Sequence, residues 1–216
     1  AGKVAKAAPG MPTSDIGFAI GAEVDESTST YLVSVNVEQT VMLKGFAFEM
    51  SYNTEALEFV NDSVNGLVGL NMFDEKDGII RVQNMFVNEE FNGVVTFAFT
   101  SKGVNSDLNF EIMNAMVSDI DVAVSTNLSE LSLKALPTVY SLNQNFPNPF
   151  NPTTTIEYSI PASGNVDLVV YNMAGQKVRT LVNNSQSAAF YKVVWDGRND
   201  TGEAVASGLY FYKLVS

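Results

Sequence analysis

From Asp15 onward, apolar side chains recur at every second position in short runs, and the runs are separated by glycine, asparagine and aspartate. Tyr31–Val37 (YLVSVNV) and Gly93–Thr100 (GVVTFAFT) carry this alternation, as do Phe46, Phe48, Met50 and Tyr52 within GFAFEMSY. A period of two sends alternate side chains to opposite faces of an extended chain, so each run reads as a half-buried strand. No segment keeps a helical period for longer than two turns. Many short strands closed by turn residues predict an all-β chain of antiparallel sandwiches or jelly rolls.

The 216 residues suffice for two sandwiches of ordinary size, and two is the expected domain number. A composition 46% hydrophobic and 17% charged supplies apolar material for real cores and is unlike that of a disordered chain. There is no cysteine and no histidine. That removes thiol nucleophiles, disulfides, imidazole bases and the usual ligands of zinc, copper and haem. A Ser-Lys or paired-carboxylate mechanism stays chemically open, but no Ser-x-x-Lys occurs and no acid pair is placed in a cleft by its spacing. The expectation is a non-enzymatic chain with no catalytic, cofactor-binding or metal residues and no cofactor.

Charge separates the chain into regions. Of the net −12, residues 1–13 carry the two lysines Lys3 and Lys6, residues 14–136 carry 19 acids against 5 bases, and residues 137–216 carry 5 of each. The acidity belongs to one domain, which argues against nucleic acid as a partner and for solubility, cations or basic partners. A solvated acidic face is the simplest reading. No run approaches the roughly 18 apolar residues of a membrane span. No basic and apolar leader opens the chain, so export implies a signal peptide removed before Ala1.

Residues 1–13 (AGKVAKAAPGMPT) are small, weakly basic and broken by Pro9, Gly10 and Pro12, the pattern of an extended arm. Residues 14–136 form the first sandwich. Ile16, Phe18 and Ile20 alternate at its start, and Leu128, Leu131 and Leu133 at its end. Asp74-Glu75-Lys76-Asp77-Gly78 reads as a hairpin turn between apolar runs. The order of text from Gly45-Phe46 to Asn61, followed by Phe110-Glu111-Ile112, Asn114 and Ser118-Asp119, is similar to cohesin-like domains. That resemblance implies a jelly-roll sandwich that binds other proteins, often through a sheet face, and carries over no binding residue. Asp62-Ser63-Val64 resembles a short bacterial O-glycosylation signal.

Residues 137–152 form a proline-rich linker and boundary ending in Asn145-Phe146-Pro147-Asn148-Pro149-Phe150-Asn151-Pro152. The prolines forbid helix, and Phe146 and Phe150 are expected to anchor the segment on a neighbouring sheet. Strand-like text follows in Thr155–Pro161 and Val166–Tyr171, then Asn172-Met173-Ala174-Gly175-Gln176-Lys177-Val178 and Trp195-Asp196-Gly197. Together with the N-F-P-N-P-F-N-P opening, this resembles the FlgD-like immunoglobulin domains that serve as sorting modules in type IX secretion. The resemblance implies an immunoglobulin-like sandwich over residues 153–216 and an extracellular or outer-surface location. Trp195 reads as a core residue before a carbohydrate platform. Asp196, Asn199 and Asp200, like Asp74, Glu75 and Asp77, read as turn-stabilising side chains before calcium ligands.

Domains of that family continue past the position of Tyr210-Phe211-Tyr212-Lys213-Leu214 with one further strand, whereas this sequence ends at Ser216. The resemblance therefore implies a sandwich one strand short. Gly208, Leu209, Tyr210, Phe211, Tyr212 and Leu214 become an expected edge for strand addition. Lys3, Val4, Ala5 and Lys6 of the extended arm become the expected donor. A head-to-tail contact of this kind gives a fibre of identical copies. The expected partners are other copies of the chain, with surface proteins or glycans as further candidates. Two other readings stand beside this one: accessory and sorting modules of a larger secreted enzyme, and a carbohydrate-binding module.

Overall fold

The computed structural model describes residues 13–37, 44–86, 93–118 and 123–216, and every regular element among them is a β-strand. The chain divides into two compact units, the first made of residues up to Lys134 apart from two short turns, the second chiefly of Ala135–Ser216.

The first unit contains β1 (Thr13–Asp25), β2 (Thr30–Val37), β3 (Gly45–Ser51), β4 (Leu57–Phe59), β5 (Leu70–Lys76), β6 (Ile79–Met85), β7 (Val94–Ser101), β8 (Asp107–Ser118), β9 (Ala123–Leu128) and β10 (Glu130–Lys134). They form two five-stranded sheets, ordered β4-β7-β2-β1-β9 and β10-β8-β3-β6-β5. The alternation in the text becomes the inside and outside of this sandwich: Tyr31, Val33, Val35 and Val37 are buried on one sheet and Phe46, Phe48 and Met50 on the other. Phe48 meets Phe18 and Phe97 across the gap, each at 6.1 Å between ring centroids, and Phe99 meets Phe110 at 5.2 Å. Each such fully buried ring contributes about 1.5–3 kcal/mol of transfer free energy, so this aromatic layer is a principal stabiliser of the unit.

Two details differ from the sequence-based expectation. One pairing is parallel: Thr13–Phe18 of β1 lies beside Ala123–Leu128 of β9, while Phe18–Asp25 pairs antiparallel with β2. A strand of 13 residues is long enough to use different partners along its two edges. The turn expected at residues 74–78 is also shorter, because β5 runs on to Lys76 and only Asp77 and Gly78 turn the chain. Their φ angles of 55° and 77° are those of a type I′ hairpin, which favours an Asp-Gly pair. Two of the charged residues on the ladder, Asp74 and Glu75, find side-chain partners there. Arg81 sits opposite Asp74 and reaches it at 3.5 Å, and the Tyr52 hydroxyl donates to Glu75 Oε1 at 2.8 Å.

The second unit contains β11 (Ser141–Leu142), β12 (Thr154–Ile160), β13 (Gly164–Asn172), β14 (Lys177–Gln186), β15 (Ala189–Trp195) and β16 (Tyr210–Val215). Two three-stranded antiparallel sheets, β11-β12-β15 and β14-β13-β16, enclose Ile156, Tyr158 and Ile160 from one sheet with Val166 and Leu168 from the other. Phe150 reaches this core region, with its ring 5.0 Å from that of Trp195. Phe146 does not: its side chain is 80% exposed, and only its backbone holds, through paired N–H···O bonds of 2.9 Å with Thr155. The expectation of two aromatic anchors is therefore corrected to one. The boundary segment is tied down instead by the Thr154 hydroxyl, which donates to the Pro147 carbonyl and accepts from Asn145 Nδ2, both at 2.9 Å.

Candidate interaction surfaces

β16 is the last strand of its sheet and, among the described residues, has β13 as its one ladder partner. Its side chains alternate. Tyr210, Tyr212 and Leu214 are half-buried, while Phe211, Lys213 and Val215 face solvent. Tyr212 and Leu214 pack against the core cluster. The Tyr212 hydroxyl donates to the Asn143 carbonyl at 2.8 Å and accepts from the Asn145 N–H at 2.9 Å, so one phenol ties β16 to the strand-like segment leading into β12. A groove of about 730 Å³ lies here, lined by Asn145, Phe150, Gly208, Leu209, Tyr210 and Tyr212, and the buried Ile156, Val170 and Trp195 reach its wall. Leu209 and Phe211 are 70% and 57% exposed beside it. The six expected edge residues lie on β16 and in the turn before it, with Lys213 between Tyr212 and Leu214. Lys3, Val4, Ala5 and Lys6 lie outside the described residues.

Trp195 is only 3% exposed, and its ring is held between Phe150 and Tyr210. It offers no face to a sugar.

The turn after Trp195 is satisfied from within. Asn199 Oδ1 accepts from the Thr201 and Glu203 N–H groups and from the Thr201 hydroxyl. Asp196 Oδ1 accepts from the Arg198 N–H, and Asp200 Oδ1 from the Thr180 N–H at 3.0 Å. This last bond, assisted by Lys177, holds the Asp200 carboxyl below its usual value. Hydrogen bonds from Asn199 and Thr201 do the same for Glu203. These oxygens organise backbone, as Asx side chains do in turns, and among the described residues no group of three or more potential metal-binding side chains occurs. The Ser63 hydroxyl in the Asp62-Ser63-Val64 motif is likewise occupied, accepting from the Ala98 N–H at 2.9 Å.

A second surface was not anticipated from the sequence. On the outer face of the sheet β10-β8-β3-β6-β5, the register sets Met116 opposite Ala47, Ala47 opposite Gln83, and Gln83 opposite Met72. The next row runs from Gly45 through Met85 to Leu70. Leu70, Met72, Met85 and Met116 are 67%, 71%, 62% and 62% exposed. Exposed apolar side chains gathered on one sheet face around Gln83 in this way are a feature of docking surfaces. Beside it runs a polar row in which Arg81 pairs with Glu49 at 3.0 Å as well as with Asp74. The signal in the sequence was the pair of apolar residues two places apart in LNM and the lone Met85 in QNM. Which face those places occupy depends on packing elsewhere in the unit.

These features define an all-β, two-unit protein whose conspicuous surfaces are a sheet edge and a sheet face, the kinds of surface through which proteins meet other proteins. Its C-terminal part matches a known family: the FlgD Ig-like domain model aligns with residues 151–216. No curated protein matches the chain. Among solved structures, the chain is similar to a cohesin of scaffoldin B from Acetivibrio cellulolyticus, solved in complex with a dockerin, at 16% identity and a TM-score of 0.43, covering 54% of this chain and 97% of that one. A cohesin module of a family 33 glycoside hydrolase from Clostridium perfringens is similar at 18% identity and a TM-score of 0.39, covering 55% and 95%. Dimeric latent PorU from Porphyromonas gingivalis is similar at 15% identity and a TM-score of 0.32, covering 91% of this chain and 18% of that one. No functional residue is carried over from these structures. No helix of the described residues is long and apolar enough to cross a membrane.

Proposed function

We propose that this chain is a non-catalytic interaction protein of a bacterial outer surface, exported by type IX secretion, that assembles with copies of itself by strand addition at β16. The observation that carries this reading is that, among the described residues, β16 pairs on one side alone, beside a groove reached by core side chains. An unpaired row of N–H and C=O groups is a template for an extended peptide, and apolar side chains at alternate positions of that peptide would enter the groove. Residues 3–6 of a second copy are the expected donor, and a donor from a neighbouring molecule leaves each copy with an arm to give and an edge to fill. Such a contact does not close on itself and propagates as a fibre. Sedimentation and electron microscopy of the full chain over a range of concentrations test this. Concentration-dependent filaments that disappear on Phe211→Glu or on deletion of residues 1–12 are expected, and a monomer at every concentration overturns the proposal.

The Met72, Met85 and Met116 face favours a second reading, in which a separate protein docks on the first unit. Loss of partner capture by Met72→Glu with Met116→Glu, but not by Phe211→Glu, selects that reading over the first.

A further inference from the structure

We propose that the outer face of the sheet β10-β8-β3-β6-β5 is a methionine oxidation site, at which the thioethers of Met72, Met85 and Met116 are converted to sulfoxides by hydrogen peroxide while the fold remains intact. The proposal does not depend on how copies of the chain assemble.

The eight methionines of the chain fall into different environments. Met50 belongs to the same sheet but points inward and is 0% exposed, whereas Met72, Met85 and Met116 point outward at 71%, 62% and 62%. A small cross-strand neighbour stands beside Met85 and beside Met116, whereas Met72 lies at the edge strand β5 opposite Gln83. Ala47 separates Met116 from Gln83, and Gly45 lies directly opposite Met85. Gly45 is held to glycine by a close approach of strands, because a Cβ there would stand 2.6 Å from the Asn84 carbonyl oxygen. No side chain at that position can therefore shield the Met85 sulfur. Oxidation of methionine follows exposure of the sulfur, so the outward group is predisposed and Met50 is protected.

The reaction balances with peroxide as the oxidant. A sulfur lone pair attacks one peroxide oxygen, an S–O bond forms as the O–O bond breaks, and the departing hydroxide takes the proton left on the transferred oxygen to become water. Sulfur loses two electrons and peroxide gains them. On the outer face the new oxygen is solvated, so no buried acceptor is created. At Met50 the same oxygen would be an unsatisfied acceptor within the aromatic core. Sulfoxidation thus turns an apolar patch into a polar one, and enzymatic reduction of the sulfoxide reverses it. An apolar contact made through this face is weakened by oxidation and restored by reduction.

The test is a peroxide time course on the full chain, followed by peptide mass mapping and by retention on a hydrophobic-interaction column. Met72, Met85 and Met116 are expected to oxidise on the order of ten-fold or more faster than Met50, with unchanged far-ultraviolet dichroism and melting. Exposed Met173 in the second unit (63%) serves as the reference for an isolated thioether. Retention falls on oxidation of the wild type and returns after treatment with methionine sulfoxide reductase. The M72L/M85L/M116L variant loses less retention under the same treatment, because only the remaining exposed methionines, such as Met113 and Met173, are left to oxidise. The M72Q/M85Q/M116Q variant elutes early without peroxide, which gives the same answer should the leucine variant fold poorly. Oxidation of Met50 at the rate of the other three, loss of structure in step with their oxidation, or an equal retention change in the leucine variant overturns the proposal.

Discussion

The indole Nε1–H of Trp195 donates to the carbonyl oxygen of Arg198 at 2.9 Å. This bond joins the end of β15 to the turn that follows, and it fixes the plane of a ring packed against Phe150 at 5.0 Å and Tyr210 at 5.1 Å. One side chain thus connects the proline-rich opening of the unit, the asparagine-organised turn and the start of β16.

Replacing Trp195 with Ala removes all three contacts and leaves a cavity, with an expected loss of about 3–5 kcal/mol. Trp195→Phe keeps an aromatic filler and loses the hydrogen bond, at roughly 1–2 kcal/mol. Urea unfolding followed by circular dichroism distinguishes the two, since the variants lack the sole tryptophan fluorophore of the chain.

Gly66 has φ of +90°, and a Cβ there would lie 2.0 Å from the Val94 carbonyl oxygen. That oxygen belongs to backbone and has no rotamer with which to yield. Gly66→Ala is therefore expected to destabilise the first unit by roughly 2–4 kcal/mol, combining a left-handed backbone penalty with a steric shift. Thermal melting compared with wild type measures it.

Burial, reinforced by the hydrogen bond to Glu75, raises the Tyr52 phenol well above its ordinary 10.0. The folded state holds its proton where the unfolded state releases it, so the contribution is complete below pH 10 and is lost as the pH rises through the folded value. Denaturation midpoints of the first unit are expected to fall above pH 10, and to fall less in Tyr52→Phe.

Asp200 and Glu203 show the opposite sign. Their carboxyls lie below the ordinary values of 3.8 and 4.5, so the unfolded chain takes up protons first as the pH falls. Stability from these groups is present above those values and is lost on acidification through the lower folded ones. The acid limb of the stability profile between about pH 5 and pH 2 is expected to be shallower in Asp200→Asn than in wild type.

How far the text could be read is clear from particular residues. Tyr31, Val33, Val35 and Val37 are legible as one buried face because four apolar residues alternate with three that are not all apolar, and a shift of one place would expose all four. Trp195 is legible as core for the same reason. Phe146 and Phe150 are not separable by eye, being identical residues four apart in one proline-rich run. Only the arrival of Trp195 from β15, 45 residues beyond Phe150, decides that Phe150 is covered while Phe146 faces water. In β5 the run Leu70-Asn71-Met72-Phe73 offers apolar candidates to both faces. Phe73 turns to the inner face, where Phe59 and Phe97 meet it at 5.6 and 6.4 Å although it stays 37% exposed, and Leu70 and Met72 are turned outward as a consequence.

That the chain is made of strands, and that Asp77-Gly78 turns it, is legible in the sequence, because strand periodicity and turn chemistry are properties of neighbouring residues. Among the described residues, the order of strands, the one parallel pairing, of β1 with β9, and the place of β16 at a sheet edge were decided by tertiary structure, as was the outward turn of Met72, Met85 and Met116. Each of these depends on which distant surfaces exclude water from one another, and that free energy belongs to pairs of residues far apart in the chain rather than to any local run.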